Sequence, residues 1–457
     1  MGQGTDGSMI RHFQRWRVMG RRTAGSKAHR GRFPSARARA ALLAATVVTA
    51  AALPGPTAMA DGTASGTAYA FAEDARSVPG ATGTTDAVRL QPGRTYKSTL
   101  PSSGKAYYRL ALDATSNTYV SATAVPAPDA TVSAVEGIKV TVQETDGSSC
   151  SFDTTTFGAG RSPHPIAAWG ARESGTSRCK AEGMYYVVVE HVGAKDSAPA
   201  AWDLELAVIE EPGLAQPGAT RAPQAWDSAT PAPPTDEPEK RPGGAGFATA
   251  TSLDQGVWTD DIEPGQTLFY EVPVDWGRQL YATAELGTAG SGSGYVVGAL
   301  DVSLYNPARG PVEDAGIGYD GKQRSAALDP LPPVAHANRH SFTDRVAGMR
   351  FAGSYYLVVH LSAKVAEDFG DGPFGLTLRV RVAGTAQEAP AYAGQSVPDD
   401  VFEVTRQDRG AAGSGGAAEE DAAMTALAAG GIGAGTVILV GLGVWTAVAR
   451  RRAGLAG

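Results

Sequence analysis

Two histidines in the second half of the chain have the spacing of a metal site. His336 and His340 lie four residues apart, which is the separation of paired zinc ligands on one face of a helix. Three prolines between residues 330 and 333 disfavour a helix here, and no Glu follows the first histidine as in an H-E-x-x-H motif. A solvated loop is therefore the favoured interpretation, and we predict no metal site.

The same stretch contains the residue types of a nucleophilic triad, in His340, Ser341 and Asp344. Residues this close together in a loop rarely converge as nucleophile, base and orienting acid, and the chain has no G-x-S-x-G motif. We therefore predict a protein that is not an enzyme, with no catalytic residues and no cofactor. A hydrolase with an unrecognised site is the remaining catalytic alternative.

Aromatic residues are the candidates for binding a ligand. Tyr107, Tyr185 and Tyr355 each belong to a Tyr-Tyr pair, and exposed aromatic rings can form platforms for sugars. In a β-strand one residue of each pair faces the core, so half of these rings are expected to be structural. Trp169 lies in a long segment between the two cysteines, where a partner could bind. These four residues form the candidate ligand surface.

The first 60 residues have the layout of a secretory signal. Ten Arg and Lys residues precede an apolar run from Ala40 to Leu53, and Ala58-Met59-Ala60 is a small-x-small cleavage site. We predict a signal peptide over residues 1–60. Its true start is left open among Met1, Met9 and Met19.

A second apolar segment lies near the C-terminus. No charged residue occurs over the 28 residues from Ala422 to Ala449, and a helix of that length reaches roughly 42 Å, more than the ~30 Å hydrocarbon core. Three Arg follow at once and favour the cytoplasmic side. We predict a single transmembrane helix over 422–449, a cytoplasmic tail over 450–457 and an extracellular remainder. Gly431 and Gly435 form a G-x-x-x-G motif that would permit helix dimerisation.

The region between these ends is strongly acidic. Residues 61–449 keep 27 of the 40 basic residues and 46 of the 47 acidic ones, a net charge of −19. This charge opposes binding to nucleic acid. A solvated acidic surface is the favoured interpretation, and weak Ca²⁺ binding is the alternative, although no D-x-D-x-D-G loop is present.

Two cysteines complete the chemical inventory. In an exported chain, Cys150 and Cys179 are expected to form a disulfide. Closing a loop of about 30 residues would stabilise the fold by roughly 3–4 kcal/mol in the chain-entropy model. The chain has no C-x-x-C motif, so we predict a structural role for the bridge.

An internal repeat organises the acidic region. At an offset of 162 residues Tyr108 aligns with Tyr270, and at an offset of 170 residues Gly183–Val189 aligns with Gly353–Val359. The order and spacing of such matches persist along the region, which indicates two copies of one domain.

Both copies have the two-residue periodicity of β-strands. Over Trp202–Val208, Leu204 and Leu206 would face a core while Asp203 and Glu205 would face solvent. One buried face and one solvated face are typical of antiparallel sheets. We predict an all-β protein with two tandem antiparallel β-sandwiches of jelly-roll type.

The remaining segments connect these domains. The predicted order is a loose lead-in over 61–90, sandwich one over 91–210, a Pro-rich linker over 211–246, sandwich two over 247–384 and a flexible stalk over 385–421.

Three segments of the second copy carry a family resemblance. They are Ile262–Val272, Leu300–Pro307 with its Val-Ser-Leu-Tyr-Asn-Pro sequence, and Ala352–Val359 with Ala-Gly-x-Tyr-Tyr-Leu-Val-Val. Their order resembles that of the bacterial pre-peptidase C-terminal (PPC) domain, although the Asp-x-Asp-x-Tyr pattern of that family is echoed only by Asp260 and Asp261. The resemblance implies a β-sandwich that serves exported proteins as a non-catalytic accessory module.

We therefore predict a cell-surface, single-pass membrane protein that presents two non-catalytic sandwiches for binding or scaffolding at the envelope. Its partner would be an envelope protein or a glycan. A cell-wall carbohydrate-binding module and the accessory domains of a secreted peptidase system are the two alternatives.

Overall fold

The computed structural model describes residues 68–102, 104–175, 178–193 and 200–413, which all belong to one compact unit. The predicted signal peptide, the predicted transmembrane helix with Gly431 and Gly435, and the cytoplasmic tail lie outside these residues. Within the described ranges, no helix combines the length and the apolar character needed to span a bilayer.

The described part of the first sandwich contains ten strands in two sheets. They are β1 (Arg76–Ser77), β2 (Val88–Arg89), β3 (Arg94–Leu100), β4 (Lys105–Leu112), β5 (Asn117–Val125), β6 (Gly137–Gln143), β7 (Ser149–Thr156), β8 (Ile166–Arg172), β9 (Gly183–Val192) and β10 (Trp202–Glu211). One sheet has the order β1-β3-β10-β5-β8 and the other the order β2-β4-β9-β6-β7. Strand β1 pairs in parallel with β3, and β2 pairs in parallel with β4. All other neighbouring strands are antiparallel.

The second sandwich repeats this topology. Its strands are β11 (Glu239–Lys240), β12 (Thr251–Ser252), β13 (Gly256–Ile262), β14 (Thr267–Val274), β15 (Gln279–Leu286), β16 (Val296–Tyr305), β17 (Pro311–Tyr319), β18 (Arg324–Ala327), β19 (Gly353–Leu361) and β20 (Phe374–Ala383). The sheet orders are β11-β13-β20-β15-β18 and β12-β14-β19-β16-β17, so each strand holds the place of the strand ten numbers earlier. The prediction of two tandem β-sandwiches is confirmed.

Helical structure is confined to short connections. The described α-helices are α1 (Asp344–Gly348), α2 (Val365–Phe369) and α3 (Arg406–Gly413), and 3-10 turns occupy Phe247–Thr249 and His336–His340. The prolines before His336 were expected to exclude an α-helix, and the histidine pair indeed lies on a 3-10 turn.

Strand β10 shows where the sequence pattern misleads. Leu204, Leu206 and Val208 are buried in the core of the first sandwich, as their alternation predicts. The opposite face was predicted to be solvated, yet Glu205 and Glu211 on it are both 0% exposed. The prediction is wrong for Glu205, because the second sandwich and flanking segments cover this part of the face, whereas Asp203 keeps about half of its side chain exposed as predicted.

One buried ion pair between the sandwiches is centred on Glu205. Its carboxylate accepts hydrogen bonds from the Arg309 guanidinium of the second sandwich, from the Tyr69 hydroxyl at 3.0 Å and from the backbone N–H of Ala72 at 2.9 Å. A buried carboxylate is tolerated only when such donors replace its hydration. Glu205 therefore joins the lead-in, the first sandwich and the second sandwich at one point.

A second buried ion pair is centred on Glu211. The Arg339 guanidinium donates to both carboxylate oxygens, at 3.0 and 2.6 Å, and Asn117, Tyr119 and Tyr392 supply three further hydrogen bonds. Burial alone would raise the pKa of Glu211, but the charge and hydrogen bonds of Arg339 and the hydrogen bond from Asn117 outweigh it and hold this pKa at about 2. The carboxylate therefore stays ionised inside the interface.

Residues of the predicted lead-in, linker and stalk contact the sandwiches. Tyr69 of the predicted lead-in is 8% exposed, and the predicted linker accepts hydrogen bonds from Arg379 and Arg381 at the carbonyls of Pro234 and Ala232. In the predicted stalk, Phe402 is 4% exposed. The lead-in and stalk predictions are wrong for their described residues, since composition does not show which aromatic side chains find a partner.

The disulfide prediction is confirmed. Cys150 on β7 is bonded to Cys179, whose Cα lies 5.7 Å away. The bridge ties the edge of one sheet to the segment that enters β9.

We predict that Arg339→Met lowers the free energy of unfolding by about 3–5 kcal/mol, because it leaves the Glu211 charge buried without its ionic partner. The double variant Glu211→Gln/Arg339→Met should regain a large part of that loss. Urea denaturation of the three proteins measures both effects.

Lys240→Met serves as the control, since the Lys240–Asp261 ion pair lies on the surface. It should leave the unfolding midpoint unchanged. If Arg339→Met is no more destabilising than this control, the Glu211 pair does not hold the interface together.

Candidate functional site

A groove of about 790 Å³ lies at the junction of the two sandwiches. One wall is formed by consecutive residues of β7, from Phe152 to Thr156, and the floor is formed by β16 and β17 of the second sandwich. Its volume is within the range of small-molecule and peptide sites. Because each sandwich supplies one side, the groove exists only in the packed pair.

The floor is polar because β16 turns alternate residues away from its own core. Leu300, Val302 and Leu304 are buried in the second sandwich, which places Asp301 and Ser303 on the outer face. Strand β17 continues this face, since Ser303 pairs with Asp314 and Asp301 pairs with Gly316.

Gly316 leaves the floor open. A Cβ atom at this position would lie 3.3 Å from the Asp301 carboxylate, and its next neighbour would be a backbone oxygen at 3.9 Å. The backbone of β17 is thus accessible from the groove, and Asp301 is not covered by a neighbouring side chain on β17.

The wall is held in place by its own side chains. Asp153 on β7 accepts hydrogen bonds from the backbone N–H groups of Trp169 on β8, at 3.3 Å, and of Thr154, at 2.8 Å. Ser151 accepts another from Ala171 at 2.5 Å. These contacts close the open side of the first sandwich, and the disulfide at Cys150 adds to them.

Negative charge dominates the groove. Five carboxyl groups line it, those of Asp153, Asp301, Glu313, Asp314 and Asp344. Among the lining residues that the structure describes, the one permanent cation is Arg350, which is already paired with Glu173 at 2.6 Å. A concave site with such an excess of one sign attracts ligands of the opposite sign.

Three of these carboxyl groups, those of Asp153, Asp301 and Glu313, have a raised pKa. Burial raises the pKa of Asp301 to about 6; the hydrogen bond that Ser303 donates at 3.0 Å opposes this shift, and the charge of Asp314 adds to it. Burial also raises the pKa of Asp153, against the hydrogen bonds from Trp169 and Thr154. At neutral pH Asp301 remains mostly ionised.

A pair of stacked histidines closes one end of the groove. His164 of the first sandwich and His360 of β19 stack with their ring centroids 4.2 Å apart. Burial lowers the pKa of His164 to about 4, and burial together with His164 lowers the pKa of His360 well below its usual range. Both rings are therefore neutral at pH 7, which lets them pack face to face.

Ser162 and His360 have the residue types of a catalytic dyad. The Ser162 hydroxyl lies 2.9 Å from His360 Nε2, while His360 Nδ1 lies 3.1 Å from the carbonyl oxygen of Gln266. However, Ser162 is 2% exposed and its hydroxyl oxygen also accepts the backbone N–H of Ala363 at 3.0 Å. The Ser162 hydroxyl therefore joins the first sandwich to His360 and Ala363 of the second, at the lining of the groove.

The structure does not bring the candidate ligand residues together. Tyr185 and Tyr355 are buried in the two separate cores, and their predicted role in ligand binding is wrong because they are the core-facing members of their pairs. Tyr107 is half-buried on β4 and does not line the groove. Trp169 lines the groove, but Tyr119 stacks on its ring at 5.3 Å and Gly310 lies against it.

The residues of the histidine pair and of the triad-like stretch, which were weighed as sites and not predicted as such, lie on two sides of one turn. His336 lies 3.7 Å from Glu211 inside the interface, whereas His340 and Ser341 lie on the outside of the same turn. Across the described ranges, no group of three or more His, Cys, Asp or Glu side chains is arranged to hold a metal ion.

Comparisons with known proteins identify no family. No family model and no curated protein matches the chain. Among solved structures, the tandem CBM22 domains of Paenibacillus barcinonensis Xyn10C are 10% identical in sequence. The match covers 62% of this chain and 84% of that chain, with a TM-score of 0.18. The tandem CBM51 modules of Sp3GH98 from Streptococcus pneumoniae are 8% identical, and this match covers 63% of this chain and 83% of that chain, with a TM-score of 0.16.

Tripeptidyl peptidase 2 is similar over 64% of this chain and 24% of its own length, with 10% identity and a TM-score of 0.21. TM-scores this low do not establish a common overall arrangement. The tandem sandwich architecture therefore follows from the strand order of the chain itself, and the groove must be interpreted from its own residues.

We predict that the protein loses stability as the pH falls from about 6.5 to about 4, in part through His164. In this window His164 is protonated in the unfolded chain but stays neutral in the folded protein, because burial lowers its pKa. The free energy of unfolding therefore decreases as the pH falls. His164→Phe should reduce this slope by up to about 1.4 kcal/mol per pH unit. Urea denaturation at several pH values measures the slope.

Asp301 contributes a slope of opposite sign, because its pKa is raised in the folded protein. This contribution is the same in the unaltered protein and in His164→Phe, so it cancels when their two slopes are subtracted. Phe157→Leu is the matched control, because Phe157 packs against the His164 ring and does not titrate. It should lower stability equally at all pH values. An unchanged slope in His164→Phe would contradict the prediction.

Proposed function

We propose that the protein is a non-catalytic binding protein whose ligand occupies the groove between its two sandwiches. The observation that carries this proposal is the composition of the groove: a strand edge from one sandwich faces an open, polar floor from the other. Neither sandwich alone would contain the site. The second copy of the domain therefore completes the binding surface that the first copy begins.

The interface favours binding because it fixes the groove before a ligand arrives. The Glu205 and Glu211 ion pairs and the histidine stack all cross between the sandwiches. A preformed site avoids the entropic cost of ordering its walls during binding. The excess of carboxylates supports a ligand that donates hydrogen bonds or carries positive charge.

The ends of the chain support a location for this function. The basic and apolar pattern of residues 1–60 supports export, and the uncharged segment 422–449 supports a single membrane anchor. The sandwiches would then face the outside of the cell, with the cytoplasmic tail inside. Dimerisation through Gly431 and Gly435, weak Ca²⁺ binding, and an accessory role beside a secreted peptidase remain predictions from the sequence.

A glycan is the second candidate ligand, and one residue favours it. Phe152, a residue that is 62% exposed, lines the groove, and the Lys139 ammonium lies 4.3 Å from the centre of its ring. An exposed aromatic ring beside carboxylate and hydroxyl acceptors is an arrangement that suits sugars. Cell-wall oligosaccharides therefore belong in any binding test.

We predict that Gly316→Val blocks the groove. The new side chain would project from the floor and press on Asp301, since a Cβ at this position lies 3.3 Å from the Asp301 carboxylate, and a β-branched residue suits a strand. Full-length protein is tested for binding to insoluble peptidoglycan, chitooligosaccharides and lysine-containing peptides. Whichever ligand binds should be weakened about tenfold or more by the substitution.

Gly375→Val is the matched control, because Gly375 is exposed on β20 and a Cβ there meets nothing within 4 Å. It should bind like the unaltered protein. If all three classes of ligand fail to bind, or if both variants bind equally well, the groove is not the functional site.

A further inference from the structure

The wall of the groove is an unpaired strand edge. Among the described strands, β7 pairs with β6 alone. The backbone N–H of Phe157, just beyond β7, donates to Glu136 on the β6 side. Because successive residues of an antiparallel strand point to opposite sides, the backbone groups of Phe152, Thr154 and Thr156 point away from β6.

These outward backbone groups face the groove. Phe152, Thr154 and Thr156 all line it, and within the ranges that the structure covers no other strand bonds to their N–H or C=O groups. The N–H of Thr154 is occupied by the neighbouring Asp153 carboxylate instead. The other outward N–H and C=O groups of this edge, unbonded within the described residues, form a template for one more strand.

The space beside this edge fits an extended chain. The lining part of β7 spans five residues, from Phe152 to Thr156, which corresponds to roughly 16–17 Å of strand. Gly316 opens the floor at its middle, and a glycine in a strand commonly marks the close approach of another backbone. The opening and the strand edge thus point to the same kind of occupant.

The floor determines the charge of that occupant. Asp301 and Asp314 lie on the outer face of paired strands, and the hydrogen bond that Asp301 receives comes from the uncharged Ser303. A strand that added to β7 would turn every second side chain toward this floor. Lysine or arginine at those positions would complete the charge of the site.

We propose that the groove binds an extended, basic polypeptide segment, which adds as a strand to the free edge of β7 and places alternate Lys or Arg side chains over Asp301 and Asp314. This inference rests on the proposed function and names the ligand class of the same groove. The exposed ring of Phe152 then packs against the backbone or side chains of the added strand. A glycan would use the carboxylates but has no use for the strand edge.

The test uses the peptide Lys-Thr-Lys-Thr-Lys-Thr-Lys and full-length protein in a calorimetric or anisotropy titration. Two further peptides have the same side chains but carry N-methyl groups at the three Thr residues or at the inner Lys residues. Each removes the donors from one edge of the peptide strand. At least one of them should bind about tenfold more weakly than the unmethylated peptide.

The acidic floor is tested with Asp301→Asn/Asp314→Asn. This variant should weaken the lysine peptide about tenfold, and a Glu-Thr peptide of equal length should not bind. The control variant Asp236→Asn/Glu237→Gln removes two charges from exposed residues of the linker and should bind normally. Binding should weaken with added salt.

The outcomes separate this inference from the proposed function. Equal binding of all three Lys-Thr peptides would show attraction by charge without strand addition and overturn the inference. A second outcome is that a chitooligosaccharide or peptidoglycan binds, that Gly316→Val blocks this binding, and that no peptide binds. This outcome would overturn the inference while leaving the groove as the binding site. If no peptide or glycan responds to Gly316→Val, both proposals fail.

Discussion

The arrangement of this protein depends on burying two carboxylates of one strand. Glu205 and Glu211 lie on the outer face of β10, and both are removed from water by the second sandwich and the segments around it. Each is compensated by an arginine that comes more than 100 residues later in the chain, Arg309 and Arg339. Removing either partner of a pair would leave a buried charge without compensation. The two ion pairs therefore fix the orientation of one sandwich relative to the other.

The relative orientation of the two sandwiches determines what lies beside the edge of β7. It places the free side of β7 beside the outer face of β16 and β17, which creates the acidic groove. The histidine stack at one end depends on the same orientation, since His164 and His360 come from different sandwiches. Stability and function are therefore linked, because the contacts that hold the sandwiches together also shape the proposed site.

The local features of the fold could be predicted from the sequence, and the contacts between domains could not. Alternation along Leu204–Val208 and the repeat at Tyr108 and Tyr270 correctly indicated strands and a duplicated sandwich. The same alternation assigned Glu205 to solvent, because its partner Arg309 is distant in sequence. Asp301 and Ser303 could have been placed on an outer face by their alternation with Leu300 and Val302, but no pattern in one strand shows what lies across from that face.

The central claim, that the two sandwiches form one rigid unit with a preformed groove, is tested most directly by a distance measurement across the junction. Spin labels on exposed turns at Asp146 and Lys322, one in each sandwich, can be read by pulsed electron resonance. The account predicts a single narrow distance distribution in solution, in the absence of any ligand. A broad or multiple distribution would show that the sandwiches move independently, and would contradict it.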